Sequence, residues 1–246
     1  MIKTAVITAL ERELRPWVNG WPSVTLDFHG RTLRCYQRGE IVAAAGGIGS
    51  ARAEMAARAV VDKFRPQTLI SAGVAGALIR SLKVGSVIRP NVIVDALTGS
   101  EYRFASGGEI VGGGILVSAD AIAESPQAKS RLVEQFHALA VDMEAAGIAR
   151  VALRAQIDFR CVKAISDEAD FKMPPLSRFV DAEGSFATGK FVAWLSVRPQ
   201  YWARTIALGR NTKQAIAALC EWLDKNVPTA KINDPSKMAE SEKLAI

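Results

Sequence analysis

Phe159-Arg160-Cys161-Val162-Lys163-Ala164-Ile165-Ser166-Asp167-Glu168-Ala169-Asp170 decides how this chain is read. Phe159, Cys161, Val162, Ala164 and Ile165 make a short apolar run, of a length suited to a strand buried on both faces, and it stops at Ser166 and Asp167. A carboxylate therefore stands at the mouth of a core strand. Ligands of open α/β sheets sit beyond the carboxyl ends of the strands, which makes Asp167 a candidate working acid. The plainer alternative is that Asp167 caps the turn or helix that follows it.

Other strand ends carry similar features. Residues 5–9 read as a first strand, and Thr8-Ala9-Leu10-Glu11 has the spacing of a capping box that opens a helix. That assigns Glu11 a structural role and leaves Glu13 as a second carboxylate just past a strand end. Against this stands the reading of Glu13 as a first-turn glutamate favoured by the helix dipole. Residues 26–45 predict short antiparallel strands turning at His29-Gly30 and at Arg38-Gly39-Glu40. Gly46-Gly47-Ile48-Gly49-Ser50 then leads into an alanine-rich helix over residues 51–64. Strand, glycine loop and helix in that order let backbone N–H groups approach an oxygen-rich ligand, although the spacing fits neither a dinucleotide fingerprint nor a Walker loop.

A further buried strand is predicted over residues 68–72, closed by Gly73-Val74-Ala75-Gly76 as a second small-residue loop. Residues 87–96 read as one strand, residues 98–114 as a polar, glycine-rich flap, and residues 126–138 as a helix. A strand-like Ala138-Leu139-Ala140-Val141 runs into Asp142-Met143-Glu144, followed by a helix over residues 145–155. Two more helical stretches cover residues 186–195 and 201–225. Their Trp194, Tyr201, Trp202 and Trp222, interleaved with Arg198, Arg204 and Arg210, fit either ordinary packing or a membrane-surface or oligomer face. One domain over residues 1–226 and a loose tail over 227–246 are expected. The fold class is α/β, a single three-layer domain with a central mixed sheet flanked by helices.

Composition narrows the function classes. With 49% hydrophobic residues and no apolar run approaching the roughly 20 residues of a membrane span, a compact soluble protein is expected. The N-terminus enters a strand-like run at once and shows no signal peptide, so a cytoplasmic location is expected. A net charge of +6 comes from 31 basic residues scattered along the chain rather than in blocks, so no nucleic-acid partner is expected. Cys35, Cys161 and Cys220 read as reduced thiols. His29 and His137 lack ligand spacing, so no metal is expected. Three acids without a Ser-His-Asp or Cys-His set point to proton transfer and charge stabilisation.

Gly47-Ile48-Gly49, Ser71-Ala72-Gly73-Val74-Ala75-Gly76, Val141-Asp142-Met143-Glu144-Ala145 and Ala164-Ile165-Ser166-Asp167 resemble the purine nucleoside phosphorylase and methylthioadenosine/S-adenosylhomocysteine nucleosidase superfamily. The resemblance spans residues 1–170 and implies a homo-oligomer, a dimer in preference, that cleaves the N-ribosidic bond of a purine nucleoside without a cofactor. By position, Asp167 resembles the acid that protonates the base at N7, and Glu13 the glutamate that deprotonates the attacking water. Glu144 matches the residue holding the ribose hydroxyls, and Met143 the one beneath the sugar. Gly76 and Ser166 stand at base-pocket positions. Val74, Ile122 and Ala123 are departures, standing where nucleosidases usually have serine, an aromatic and an aliphatic residue.

After Asp167, Met173-Pro174-Pro175-Leu176 and Arg198-Pro199 resemble the hopanoid-associated branch, which implies a lipid-linked adenosine substrate and peripheral membrane contact. Phosphorolysis is the alternative to hydrolysis, with phosphate as co-substrate and Arg12 and Arg52 as its candidate ligands. The chemistry itself asks for such groups. Breaking C1'–N9 develops a cationic sugar and a base that needs a proton, and burial of Asp167 is expected to keep its carboxyl protonated.

Overall fold

Strand side chains alternate between two apolar layers. In the computed structural model, which describes residues 1–104, 114–181 and 186–227, β1 (Thr4–Thr8) turns Ala5 and Ile7 into one core and Val6 into the other. β4 (Ile41–Ala45) does the same with Val42 and Ala44 against Ile41 and Ala43. Successive residues of a strand point to opposite faces, so a sheet covered on both sides reads as an unbroken apolar run.

Between these strands lie α1 (Glu11–Leu14), β2 (Ser23–Phe28) and β3 (Arg31–Arg38). Then follow α2 (Ser50–Phe64), β5 (Thr68–Ala77), β6 (Val87–Ile88), β7 (Val92–Asp95), β8 (Glu101–Arg103) and β9 (Ile115–Ser118). The chain continues through α3 (Pro126–Phe136), β10 (Ala140–Asp142), α4 (Ala145–Ala155), β11 (Asp158–Asp167), α5 (Thr188–Ser196) and α6 (Trp202–Asn226).

The strands form one mixed sheet in the order β2-β3-β4-β1-β5-β10-β9-β7-β8, with β11 on β5 and β6 on β11. β5 is its centre. It runs parallel to β1 and β11 and antiparallel to β10. Helices α2 and α4 pack on one face through Ala53, Ala57, Val60, Ile148 and Ala152. Helix α6 covers the other through Ala215, Ile216, Leu219 and Leu223, which completes three layers.

Two strands differ from their sequence expectation. Gly73-Val74-Ala75-Gly76 is not a loop: β5 carries on through it to Ala77, because β11 stays paired alongside up to Asp167, across an irregularity between Ile165 and Asp167. The predicted strand over 87–96 is two, β6 and β7, interrupted at Arg89-Pro90-Asn91. Proline has no N–H to give a ladder. The two pieces then serve different neighbours, β6 joining β11 and β7 joining β9 and β8.

The predicted flap over 98–114 begins with β8, and its residues 105–113 lie outside the described residues, as does the tail from 228 onward. Near the C-terminus, Phe179, Phe191, Trp194 and Tyr201 pack ring against ring, with Arg198 4.8 Å above Trp194. Trp202 is left half exposed. Among the described residues no helix is long and apolar enough to cross a membrane.

Candidate active site

The carboxyl ends of β5, β10 and β11 and the start of α1 open onto one cleft of about 680 Å³, its mouth included. Arg12 and Glu13 enter from α1, Ile48 from the glycine loop before α2, and Val74 and Gly76 from β5. Ile122 and Ala123, in the segment after β9, and Lys129 of α3 close another side. Met143 and Glu144 come from the β10–α4 junction, Ser166 and Asp167 from the end of β11.

Glu13 is buried, and its Oε2 accepts the backbone N–H groups of Ala9 at 3.1 Å and Leu10 at 3.2 Å. The capping-box role expected of Glu11 therefore belongs to Glu13. The helix starts two residues later than the spacing suggests, which puts Glu13 at its third position, while Glu11 accepts from the Tyr36 hydroxyl. Burial raises the Glu13 pKa, opposed by the Leu10 N–H and by the charges of Lys163 and Arg12. A carboxylate desolvated in this way is a stronger base than a free one. Its head lies against β5 where only glycine fits. A Cβ on Gly73, whose φ is +151°, would stand 3.3 Å from Glu13 Oε2.

Glu144 is held from the other side of the sheet. Gly49 N–H donates to its Oε1 at 2.8 Å and Met143 N–H to its Oε2 at 3.3 Å. Gly49 itself does not line the cleft; it fastens the residue that does. Burial, together with the negative charge of Asp142, pushes the Glu144 pKa up to about 7, against the pull of Lys163 and of the Gly49 N–H. Asp142 is also buried. It accepts from Ser118 Oγ at 2.5 Å and from Ala145 N–H at 2.9 Å, and pairs with Lys163 Nζ at 2.8 Å.

Lys163 interrupts the apolar run of β11 with a side chain that is 1% exposed. Burial disfavours its ammonium, yet the charge of Asp142, helped by Cys161 and Glu144, overcomes this and leaves its pKa raised. One cation is thus shared by three acids that would otherwise repel in a dry site.

Asp167 does not cap a helix. After β11 no α-helix begins before a 3₁₀ turn at Leu176–Phe179. Its Oδ1 accepts from Ser166 Oγ at 2.7 Å, and its Oδ2 is paired with the Lys129 ammonium, both side chains being 1% exposed. Lys129 Nζ donates as well to the Glu168 carbonyl at 2.6 Å. Asp167 is buried as expected, and helix α3 also brings a cation to it, which the strand end alone did not suggest. A Cβ on Gly76 would lie 2.9 Å from Asp167 Oδ2, so the aspartate also needs bare backbone beside it.

Every site residue predicted from the sequence lines this cleft except Gly49. Of the two arginines considered for phosphate, Arg12 lines it and Arg52 lines a different recess with Phe28, Arg31 and Gly47. Lys129 and Lys163 were not anticipated. A lysine inside the apolar run 159–165 was a legible signal, since lysine is rarely buried without a partner; Lys129, on a helix with ordinary polar spacing, offered none. The cysteines are buried, and burial pushes the thiols of Cys35 and Cys161 up to about 12, which makes them poor nucleophiles. Among the described residues no group of three or more His, Cys, Asp or Glu side chains is placed to hold a metal ion.

Glu13 and Asp167 abut β5 at residues 73 and 76, three apart and so about 10 Å along the strand.

This arrangement has relatives. The family described as Phosphorylase superfamily matches residues 3–113 and 106–188. A protein of Lysinibacillus sphaericus named 5'-methylthioadenosine/S-adenosylhomocysteine nucleosidase is 26% identical over 200 residues, 68% of this chain and 87% of that one. Among solved structures, the nucleosidase of that name from Helicobacter pylori superposes with a TM-score of 0.70 at 18% identity, covering 92% of this chain and 98% of the other. Futalosine hydrolase of the same organism gives 0.69 at 19% identity, over 92% and 97%. With the family's match running through the segments that carry all three acids, this chain belongs to the phosphorylase superfamily.

Proposed function

We propose that this chain hydrolyses the N-ribosidic bond of a purine nucleoside, with adenine as the leaving base. One observation carries the reading: Glu13, Glu144 and Asp167, more than 150 residues apart from first to last, are all buried around a single cleft. The nucleosidase names of the curated relatives support it.

Each residue then has a task. Glu13, held by two backbone N–H groups and desolvated, takes a proton from the attacking water. Glu144 accepts hydrogen bonds from the ribose hydroxyls, and its negative charge favours the cationic sugar that forms as C1'–N9 lengthens. Met143, beside it in the cleft, packs beneath the sugar. Asp167, oriented by Ser166, delivers a proton to N7 of the departing base, while Val74, Gly76, Ile122 and Ala123 shape the base pocket. Ile48 borders the sugar side, where Gly49 fixes Glu144. Water suits Glu13 as partner better than phosphate, which arrives already anionic. The dimer implied by the resemblance belongs to the same proposal, with Leu97 and Leu153 exposed for such a contact.

Adenine release from 5'-methylthioadenosine and from adenosine, measured with and without phosphate, tests the reading. Release at the same rate in phosphate-free buffer is expected; strict dependence on phosphate rejects hydrolysis, and no release from either nucleoside rejects the whole assignment.

A further inference from the structure

Lys129 reaches the cleft from α3, an element that supplies none of the acids. A fully buried ammonium is costly unless a carboxylate and further acceptors answer it. Two acceptors do so here, Asp167 Oδ2 and the Glu168 carbonyl. The Glu168 side chain points elsewhere, to Lys83 at 3.0 Å. The other charged groups lining the cleft are Arg12 and Glu13 on α1 and Asp142 and Glu144 at the β10–α4 junction, with Lys163 of β11 paired to Asp142 beside them. Lys163 is paired with Asp142 and turned toward Glu13 and Glu144 rather than Asp167, and Asp142 and Glu144 have their own backbone donors. Lys129 and Asp167 therefore form a pair of their own, with Ser166 Oγ on the outer oxygen of the carboxyl group.

A carboxyl group beside an ammonium is a poor store for the proton that a leaving purine needs, because the pair as a whole holds a single exchangeable proton in its neutral state. That proton sits on nitrogen, one hydrogen bond from the acid. We infer that Lys129 is the proton reservoir for Asp167, a positioning residue that acts through the aspartate by holding the proton that the pair hands to the departing base. The inference rests on the proposed N-ribosidic cleavage.

The step balances. As C1'–N9 breaks, its electron pair passes to the purine, the Lys129 ammonium gives its proton to the Asp167 carboxylate, and Asp167 hands that proton on to N7 and is a carboxylate again. Glu13 takes a proton from the water whose oxygen bonds to C1'. The site is left with a neutral Lys129 amine and a protonated Glu13, and proton exchange with solvent restores both after the base departs.

The test compares wild type, Lys129→Met, Lys129→Arg, Asp167→Asn and the double variant Lys129→Met/Asp167→Asn, by kcat/KM for purine-base release between pH 5 and 9. Lys129→Met should lose about 10²-fold at pH 8 and much less at pH 5.5, its alkaline limb moving down by about one pH unit or more. Lys129→Arg, which keeps a cation, should hold the limb near its wild-type position. Adding Lys129→Met to Asp167→Asn should lower the rate no further, since the lysine acts only through the acid. A Lys129→Met profile parallel to wild type overturns the inference, and so does a further tenfold loss in the double variant. If the single variant does not fold, the double variant, whose pair is neutral, still decides the matter against Asp167→Asn. Absence of base release from wild type instead overturns the proposed function, and the inference with it.

Discussion

Gly49 N–H donates to Oε1 of Glu144 across 2.8 Å, joining residues 95 positions apart in the chain. The bond ties the glycine loop before α2 to the start of α4, and it aims the carboxyl group into the cleft. Burial and Asp142 raise that group to about 7 from an ordinary 4.5. Between those values the folded protein keeps a proton on Glu144 that the unfolded chain has released. Its contribution to stability therefore falls as pH rises through the window, and the cost is complete above about pH 7.

Glu144→Gln should accordingly be more thermostable than wild type at pH 8.5 and closely matched to it near pH 4.5, with a difference on the order of 3 kcal/mol at high pH. The glutamine carbonyl can still accept from Gly49. Thermal unfolding at the two pH values measures this, and equal shifts at both would show that the ionised form carries no penalty. In the same variant, the rise of kcat/KM with pH through about 7 should disappear.

For Glu13, substitution by Gln and by Ala separates chemistry from structure. Glu13→Gln retains an oxygen for the Ala9 and Leu10 N–H groups but cannot take a proton, so turnover should fall by about 10²-fold or more with little change in melting temperature. Glu13→Ala should in addition lose about 1 to 3 kcal/mol of stability through the two unsatisfied donors. Full hydrolytic activity in the glutamine variant would assign the base to another residue.

Lys163→Met leaves Asp142 as an uncompensated charge in a dry site. A loss of about 3 to 5 kcal/mol is expected. Denaturant unfolding of this variant, and of Lys163→Met combined with Asp142→Asn, checks it: the second change should recover part of the loss. A single variant as stable as wild type would mean that the pair contributes nothing.

Gly147→Ala acts at the contact between two helix starts. A Cβ there would meet the Ser50 carbonyl oxygen at 2.1 Å, and backbone cannot swing aside as a side chain can. The N-terminus of α2 should be displaced from α4, lowering stability by about 1 to 3 kcal/mol and raising KM through the Gly49–Glu144 bond. An unchanged KM would show that this bond survives the displacement.

Much of this was legible in the chain itself. The apolar run at 41–45 and the largely apolar one at 159–165, broken by Arg160 and Lys163, follow from strands buried on both faces, and the glycine loop before α2 and the acids at 13, 144 and 167 stand out because each follows a strand-like run. Local physics also decides helices such as α2 and α4, whose lengths are close to those expected. It misjudged residues 73–76, because glycine normally signals a turn; here it signals side chains pressed against a strand, Glu13 at Gly73 and Asp167 at Gly76. It also misassigned the cap of α1 by two residues, since several spacings near Thr8 satisfy the same short pattern.

The amino-acid sequence by itself determined an α/β fold and which strand ends carry carboxylates, because side-chain periodicity and turn chemistry act over a few residues. Only the tertiary structure decided which cations stand beside those carboxylates. Lys163 meets Asp142 across the sheet and Lys129 meets Asp167 from a separate helix, and the balance between desolvation and a neighbouring cation depends on distances that no local pattern encodes.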